Sequence, residues 1–213
     1  MARQERAERT RQTIVRAAAR VFEVEGFAAA PLAEITARAR VTKGALYFHF
    51  ASKRELAVAV VAEAGRSVDA LVTQVTRRQD TELPLQLLID LTHALLRRVA
   101  SDPVLRAGLR LGSDPDLYPD PGAGLKVDWS GLIESLLPGR CAASPTSPAK
   151  VASLGSVLAG LELVSRKDPA RLRPEVVTAV WEMLLPGLAI APDPSNYRPG
   201  GSGSVFAGPG QVN

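Results

Sequence analysis

Apolar residues recur along most of this chain at the three-to-four-residue spacing of helices, and no stretch alternates with period two for long enough to suggest a strand. Ile14, Ala18, Val21 and Phe22 mark a first helix from Thr10 to Gly26, a residue suited to closing a helix because it accepts left-handed backbone. Residues 31–37 read as a short second helix with Pro31 in its first turn, and 38–41 as a turn. Thr42 can cap a third helix through Phe48, its hydroxyl accepting an otherwise unpaired N–H. Two short helices across a tight turn have helix-turn-helix spacing. Beyond them the periodicity predicts helices over about 53–74, 83–100, 103–111, 125–137, 149–165 and 174–188, with turn-rich breaks at 80–83, 112–124 and 138–148. The fold class is therefore all-α. The expected organisation is a three-helix, helix-turn-helix domain over 1–51, a second helical domain over 52–190, and a Pro/Gly/Ser-rich, disordered tail over 191–213.

In the third helix, Lys43, Gly44 and Tyr47 share one face, while Ala45, Leu46 and Phe48 are positioned to pack inward. Long basic and phenolic groups outward suit a helix set into a DNA groove. Gly44 costs about 1 kcal/mol of helix propensity relative to Ala. Either close backbone approach to a base edge or phosphate compensates, or the glycine relieves packing in a tight bundle. Ser52 and Glu55 form a capping box at the start of the next helix. Lys53 and Arg54 lie in its first turn, where backbone N–H groups favour phosphate.

Charge sharpens this picture. Residues 1–55 hold eleven Lys/Arg against six Asp/Glu, a net +5, while the remainder is −1, so the formal +4 belongs to the helix-turn-helix end. That is the footprint of a domain meeting a polyphosphate. The first nine residues carry Arg3, Arg6 and Arg9 and read as an arm along a phosphate backbone or as a solvated lead-in.

Composition narrows the classes further. With 46% hydrophobic and 23% charged residues the chain is of globular type. No run approaches the ~18 apolar residues of a membrane span, and the N-terminus is charged where a signal peptide is apolar, so a cytoplasmic location and no membrane partner are expected. The single cysteine, Cys141, excludes an intramolecular disulfide and a cysteine metal cluster, and reads as a surface thiol. Only two histidines are present, His49 and His93, with no carboxylate cluster near His49 in sequence. No dinucleotide-binding glycine motif, P-loop or nucleophile–base grouping occurs, so neither an enzyme nor a cofactor is expected.

Two later stretches, 151–164 (VASLGSVLAGLELV) and 176–188 (VVTAVWEMLLPGL), are more apolar than one buried helix face requires. They suit either a two-fold dimer interface or fully buried core helices. Trp129, at helical spacing with Leu125, Leu132 and Ile133, reads as core by spacing alone.

Residues 11–50, with IVRAAARVFEVEGF followed by PLAEITARARVTKGALYFHF and then ASKREL, resemble the DNA-binding domain of TetR-family transcriptional repressors. The opening MARQERAERTRQTI, the VTKGALYFHF and a later DPVLRAGLRL are similar to one branch of that family, the γ-butyrolactone receptors and their homologues that regulate secondary metabolism in actinomycetes. The resemblance implies a homodimeric repressor reading half-sites of a pseudo-palindromic operator in double-stranded DNA, and makes the helical domain over 52–190 a ligand-binding and dimerisation domain. It implies that Thr42, Tyr47, His49 and Lys53 touch phosphates, and that Lys43 with Gly44 approaches base edges in the major groove. It makes Trp129 a wall of a mostly apolar effector pocket, whose ligand, a γ-butyrolactone-like molecule or an antibiotic or intermediate, releases the DNA. The alternative is an effector-independent regulator or activator without a pocket. The chain departs from the family where Ala29 and Ala30 replace a usual Thr or Ser before the second helix, implying a weaker phosphate contact there. Ala64 stands where the branch has a polar anchor, and Gly160–Leu161 where Thr is usual. With a pI near 9.6, these substitutions resemble the homologues that answer to antibiotics or intermediates.

Overall fold

The computed structural model describes residues 2–120, 123–137, 148–188 and 194–203. Cys141, the break around it, and residues 191–193 and 204–213 of the expected tail lie outside the described residues. Among those described are nine α-helices and no strand: α1 Ala2–Ala29, α2 Leu32–Ala39, α3 Lys43–His49, α4 Lys53–Thr76, α5 Pro84–Ser101, α6 Pro103–Leu111, α7 Trp129–Leu136, α8 Pro148–Lys167 and α9 Pro174–Leu188. The chain divides into two compact units, Met1–Ser67 with Ser101–Lys126 and Val68–Ala100 with Val127–Asn213. By packing, then, the boundary does not fall at residue 51. The first half of α4 and all of α6 belong with the helix-turn-helix helices.

In the first unit, Ile14, Ala18, Val21 and Phe22 are buried as their spacing requires, together with Ile35, Leu46, Phe50, Leu56 and Val60. The expected N-terminal arm is instead helical from Ala2, continuous with the rest of α1, and Thr10 and Thr13 hydroxyls donate back to the Arg6 and Arg9 carbonyls. Gly26 breaks the helix with φ +77, a conformation that disfavours any side chain. α6 secures that end: Arg106 Nε meets Glu23 Oε1 at 2.6 Å, and Arg110 donates to the carbonyls of Glu23 and Val24. Further along α6, a Cβ on Gly108 would lie 2.1 Å from Ala64 Cβ. Ala64 is thus fully buried where α4 and α6 pass closely, with no room for a larger polar anchor.

In the second unit, α7 begins at Trp129 rather than near residue 125, because the Asp128 side chain caps it by accepting from Gly131 N–H at 3.1 Å. α7 buries Trp129, Ile133 and Leu136 and packs on α8. α9 buries Val177, Trp181, Leu185 and Leu188 along one stripe. α5 is buried on nearly every side, and its buried residues include Gln86, Asp90, Thr92 and His93. Thr92 donates to the Leu88 carbonyl, while Gln86, Asp90 and His93 bond residues 198–202. Disorder expected for the tail is therefore corrected over 194–203: Tyr197 is buried and the segment lies ordered along α5. Its composition resembles that of a disordered segment, but buried polar groups on α5 need partners and find them there.

Candidate nucleic-acid interface

The turn between α2 and α3 rests on two backbone devices. Arg40 adopts the left-handed conformation (φ 55, ψ 43), so its N–H reaches the Ala37 carbonyl and the Val41 N–H reaches Thr36, closing α2. Thr42 is extended, and its Oγ1 accepts the Ala45 N–H at 3.1 Å, opening α3 as the sequence predicts. Such a cap contributes about 1 kcal/mol. Pro31 precedes α2 with no side-chain cap, in keeping with the alanines there. Leu46 and Phe50, four residues apart, are buried and fix which face of α3 points out.

Thr42, Lys43, Gly44 and Tyr47 lie on the exposed face, Tyr47 at 44% exposure. Phe48 joins them. Expected to pack inward, it is 81% exposed, because it follows Gly44 by four residues whereas the inward positions are Leu46 and Phe50. Lys43 Nζ sits 5.9 Å from the Tyr47 ring centre, and the Phe48 and His49 rings meet edge to face at 5.2 Å. At Gly44 a Cβ would meet nothing closer than Thr42 Oγ1 at 3.9 Å. Packing therefore does not demand that glycine, which removes the reading of it as relief in a tight bundle.

His49 is half-buried and lines a groove of about 450 Å³ with Gln4, Glu5, Ala7, Glu8 and Arg11. Arg11 also lies over the Phe50 ring at 5.2 Å. The helical N-terminal stretch thus brings Glu5 and Glu8 into the groove that His49 lines, a proximity that sequence order conceals. Among the described residues no three His, Cys, Asp or Glu side chains are grouped to hold a metal.

The turn that opens α4 fixes Lys53 through bonds within its own unit. Glu55 N–H donates to Ser52 Oγ at 3.0 Å, as a capping box requires, but Glu55 Oε2 accepts from Ala51 N–H rather than from Ser52. Lys53 folds back from this turn: Nζ donates to the Ala28 carbonyl at 2.9 Å and stands 5.4 Å over the Phe27 ring. Burial holds its pKa below the ordinary lysine value. Arg54 likewise donates to the Asp116 and Leu117 carbonyls. Both cations of the first turn of α4 therefore bond backbone carbonyls of their own unit.

Trp129 belongs to the second unit. It is only 3% exposed. Beside it on α8, Glu162 is 6% exposed, and Arg166 Nε lies 3.3 Å from Glu162 Oε1. Burial pushes the Glu162 carboxyl above its ordinary range, opposed by the Arg166 charge. Gly160 has open space where its side chain would be, and Leu161 is buried. The outer faces of α8 and α9 leave Val157, Leu163, Val164, Val176 and Met183 exposed.

The sequence profile described as "Bacterial regulatory proteins, tetR family" matches residues 14–60. The A-factor receptor protein of Streptomyces griseus is 34% identical over 194 residues, covering 89% of this chain and 67% of the relative. Among solved structures, a γ-butyrolactone receptor described as ArpA-like superposes with a TM-score of 0.69 at 31% identity, covering 86% of this chain and 89% of that one. CprB from Streptomyces coelicolor, in complex with its biological operator sequence, gives 0.69 at 34% identity, covering 86% and 90%.

Proposed function

Because this chain belongs to the TetR family of bacterial transcriptional regulators, as a γ-butyrolactone receptor-like, DNA-binding member, we propose that it represses transcription from a pseudo-palindromic operator and is released by a small hydrophobic effector. The observation that carries this reading is the outward face of α3. Lys43, Tyr47 and Phe48 project around an uncrowded Gly44 at the most basic end of the chain. Lys43 donates to guanine O6/N7, Gly44 admits close approach, and Thr42, Tyr47 and His49 hold phosphates. Lys53 contributes to phosphate binding from a position fixed by the Ala28 carbonyl. Two copies associate through the apolar outer faces of α8 and α9 and so present two recognition helices to one face of the duplex.

Trp129 forms one wall of the effector site, with Glu162 and Arg166 as polar neighbours in an otherwise apolar surrounding. The effector acts only to the extent that it binds the DNA-free conformation more tightly, with a coupling of about 1–3 kcal/mol. The regulator acts in the cytoplasm and controls genes of secondary metabolism. Footprinting on the DNA upstream of its own gene tests the DNA reading. Two protected half-sites about one helical turn or a multiple apart are expected, and a single unpaired footprint contradicts it. Titration of the Trp181→Phe variant with an alkyl γ-butyrolactone tests the effector class through Trp129 fluorescence. A saturable change that parallels DNA release supports a lactone. Release by a hydrophobic antibiotic alone moves the class to antibiotics.

A further inference from the structure

One stripe of α5 reads the backbone of residues 198–202. Gln86 Oε1 accepts the Arg198 N–H at 2.8 Å while Gln86 Nε2 lies 3.3 Å from the Arg198 carbonyl, so a single amide pairs with both backbone groups of one residue, as a neighbouring strand would. His93 Nε2 donates to the Pro199 carbonyl at 2.8 Å. Asp90, fully buried, accepts the Ser202 N–H at 2.7 Å and the Ser202 hydroxyl. Gln86, Asp90 and His93 follow one another by four and three residues and therefore line one side of the helix. Arg78 completes the site, donating to Asp90 Oδ2 at 3.0 Å and to Ser202 Oγ at 3.3 Å. A carboxylate so deeply buried needs both a cation and donors, and the segment supplies two of the donors.

The segment contributes backbone groups, the Ser202 hydroxyl and a buried ring, Tyr197. Gly201 turns it with φ +84, a conformation that strains other residues.

We propose that this stripe of α5 is a peptide-recognition site, whose resident ligand is the chain's own 194–203 segment, able to leave without unfolding the helices. The ligand class is a short segment with a turn closed by the Gly201 N–H on the Arg198 carbonyl at 2.9 Å, in which a hydroxyl residue follows a glycine in left-handed conformation. Tethering keeps the site filled, since a segment held in cis acts at an effective concentration of about millimolar. The inference is independent of the DNA and effector reading.

The test uses the full chain with a protease site introduced between residues 188 and 194 and cut after purification. Cut and uncut proteins are titrated with a labelled synthetic peptide of residues 194–203, read by fluorescence anisotropy. The cut protein should keep its helical circular dichroism, exchange its own fragment for the labelled peptide, and bind it saturably. The uncut protein should bind it at least tenfold more weakly. A peptide carrying Ser202→Ala should bind at least fivefold more weakly to the cut protein, and because this change is in the peptide it leaves the fold untouched. Loss of helical signal when the fragment leaves would make the segment part of the fold and overturn the proposal. Equal binding by cut and uncut protein, no binding by the folded cut protein, or indifference to Ser202→Ala would overturn it too.

Discussion

Replacing Phe48 by Ala separates folding from DNA recognition, because the ring contributes little to the packed interior. At 81% exposure it leaves most of its apolar surface in water. Its removal from the folded protein should change stability by no more than about 0.5 kcal/mol, with Ala slightly favoured in a helix. In the proposed docking the ring faces the groove beside Lys43 and Tyr47, where thymine methyls and sugars offer apolar surface. An aromatic side chain presents roughly 200 Å², so covering about half of the exposed part removes ~80 Å² from water and contributes about 2 kcal/mol at ~25 cal/mol per Å². Phe48→Ala should therefore raise the Kd for operator DNA about thirtyfold. Fluorescence anisotropy with labelled operator, alongside thermal unfolding of the same preparation, measures both quantities. Binding within twofold of wild type would refute the placement of Phe48 against DNA. A stability loss well above 1 kcal/mol would refute its outward orientation.

Lys43→Ala should weaken operator binding by about 1–3 kcal/mol and relax preference at one base position, which a panel of single-base operator variants would reveal. Lys53→Ala should weaken binding to all sequences alike and reduce the salt slope by about one; because Nζ also holds the Ala28 carbonyl, a fall in thermal stability should accompany it, in contrast to Lys43→Ala. Trp129→Phe should leave operator affinity unchanged and raise the effector concentration needed for release, as read by gel shift. The phenyl ring retains most of the buried apolar surface, whereas Ala at so buried a position would cost about 3–5 kcal/mol of stability. His93 has its pKa below the ordinary 6.5, chiefly through burial, with the Arg97 charge in the same direction and the Pro199 carbonyl and Asp90 opposing. The unfolded chain then takes up the proton first, so stability is full above about 6.5 and declines as the pH falls below it. Melting curves from pH 7.5 to 5.5 should show the decline, and His93→Gln, which can still donate to Pro199, should flatten it.

Local chemistry made the helix-turn-helix legible. Thr42 caps α3, Ser52 caps α4, Gly26 ends the regular part of α1, and the buried residues of α1 lie at the spacing the sequence displays. The outward side of Phe48 is not legible from spacing, because in a seven-residue helix an aromatic residue is as compatible with the groove face as with the core, and only the burial of Leu46 and Phe50 decides. The bonds of Lys53 to Ala28 and Arg110 to Val24 join residues 25 and 86 apart in sequence, a proximity that periodicity cannot encode. The ordered 194–203 segment was hidden for a similar reason. Composition reports a segment's own lack of apolar surface, whereas here the ordering groups are Gln86, Asp90 and His93, more than 100 residues earlier in the chain.

The measurement that tests sequence-specific regulation most directly is a salt titration of binding to DNA from the gene's own upstream region, against a scrambled duplex of equal length. Binding that persists at physiological salt on the upstream DNA, and is lost on the scrambled one, is the predicted result. Equal and steeply salt-dependent loss on both duplexes would contradict the account, since it would leave only the attraction of a basic domain for phosphates.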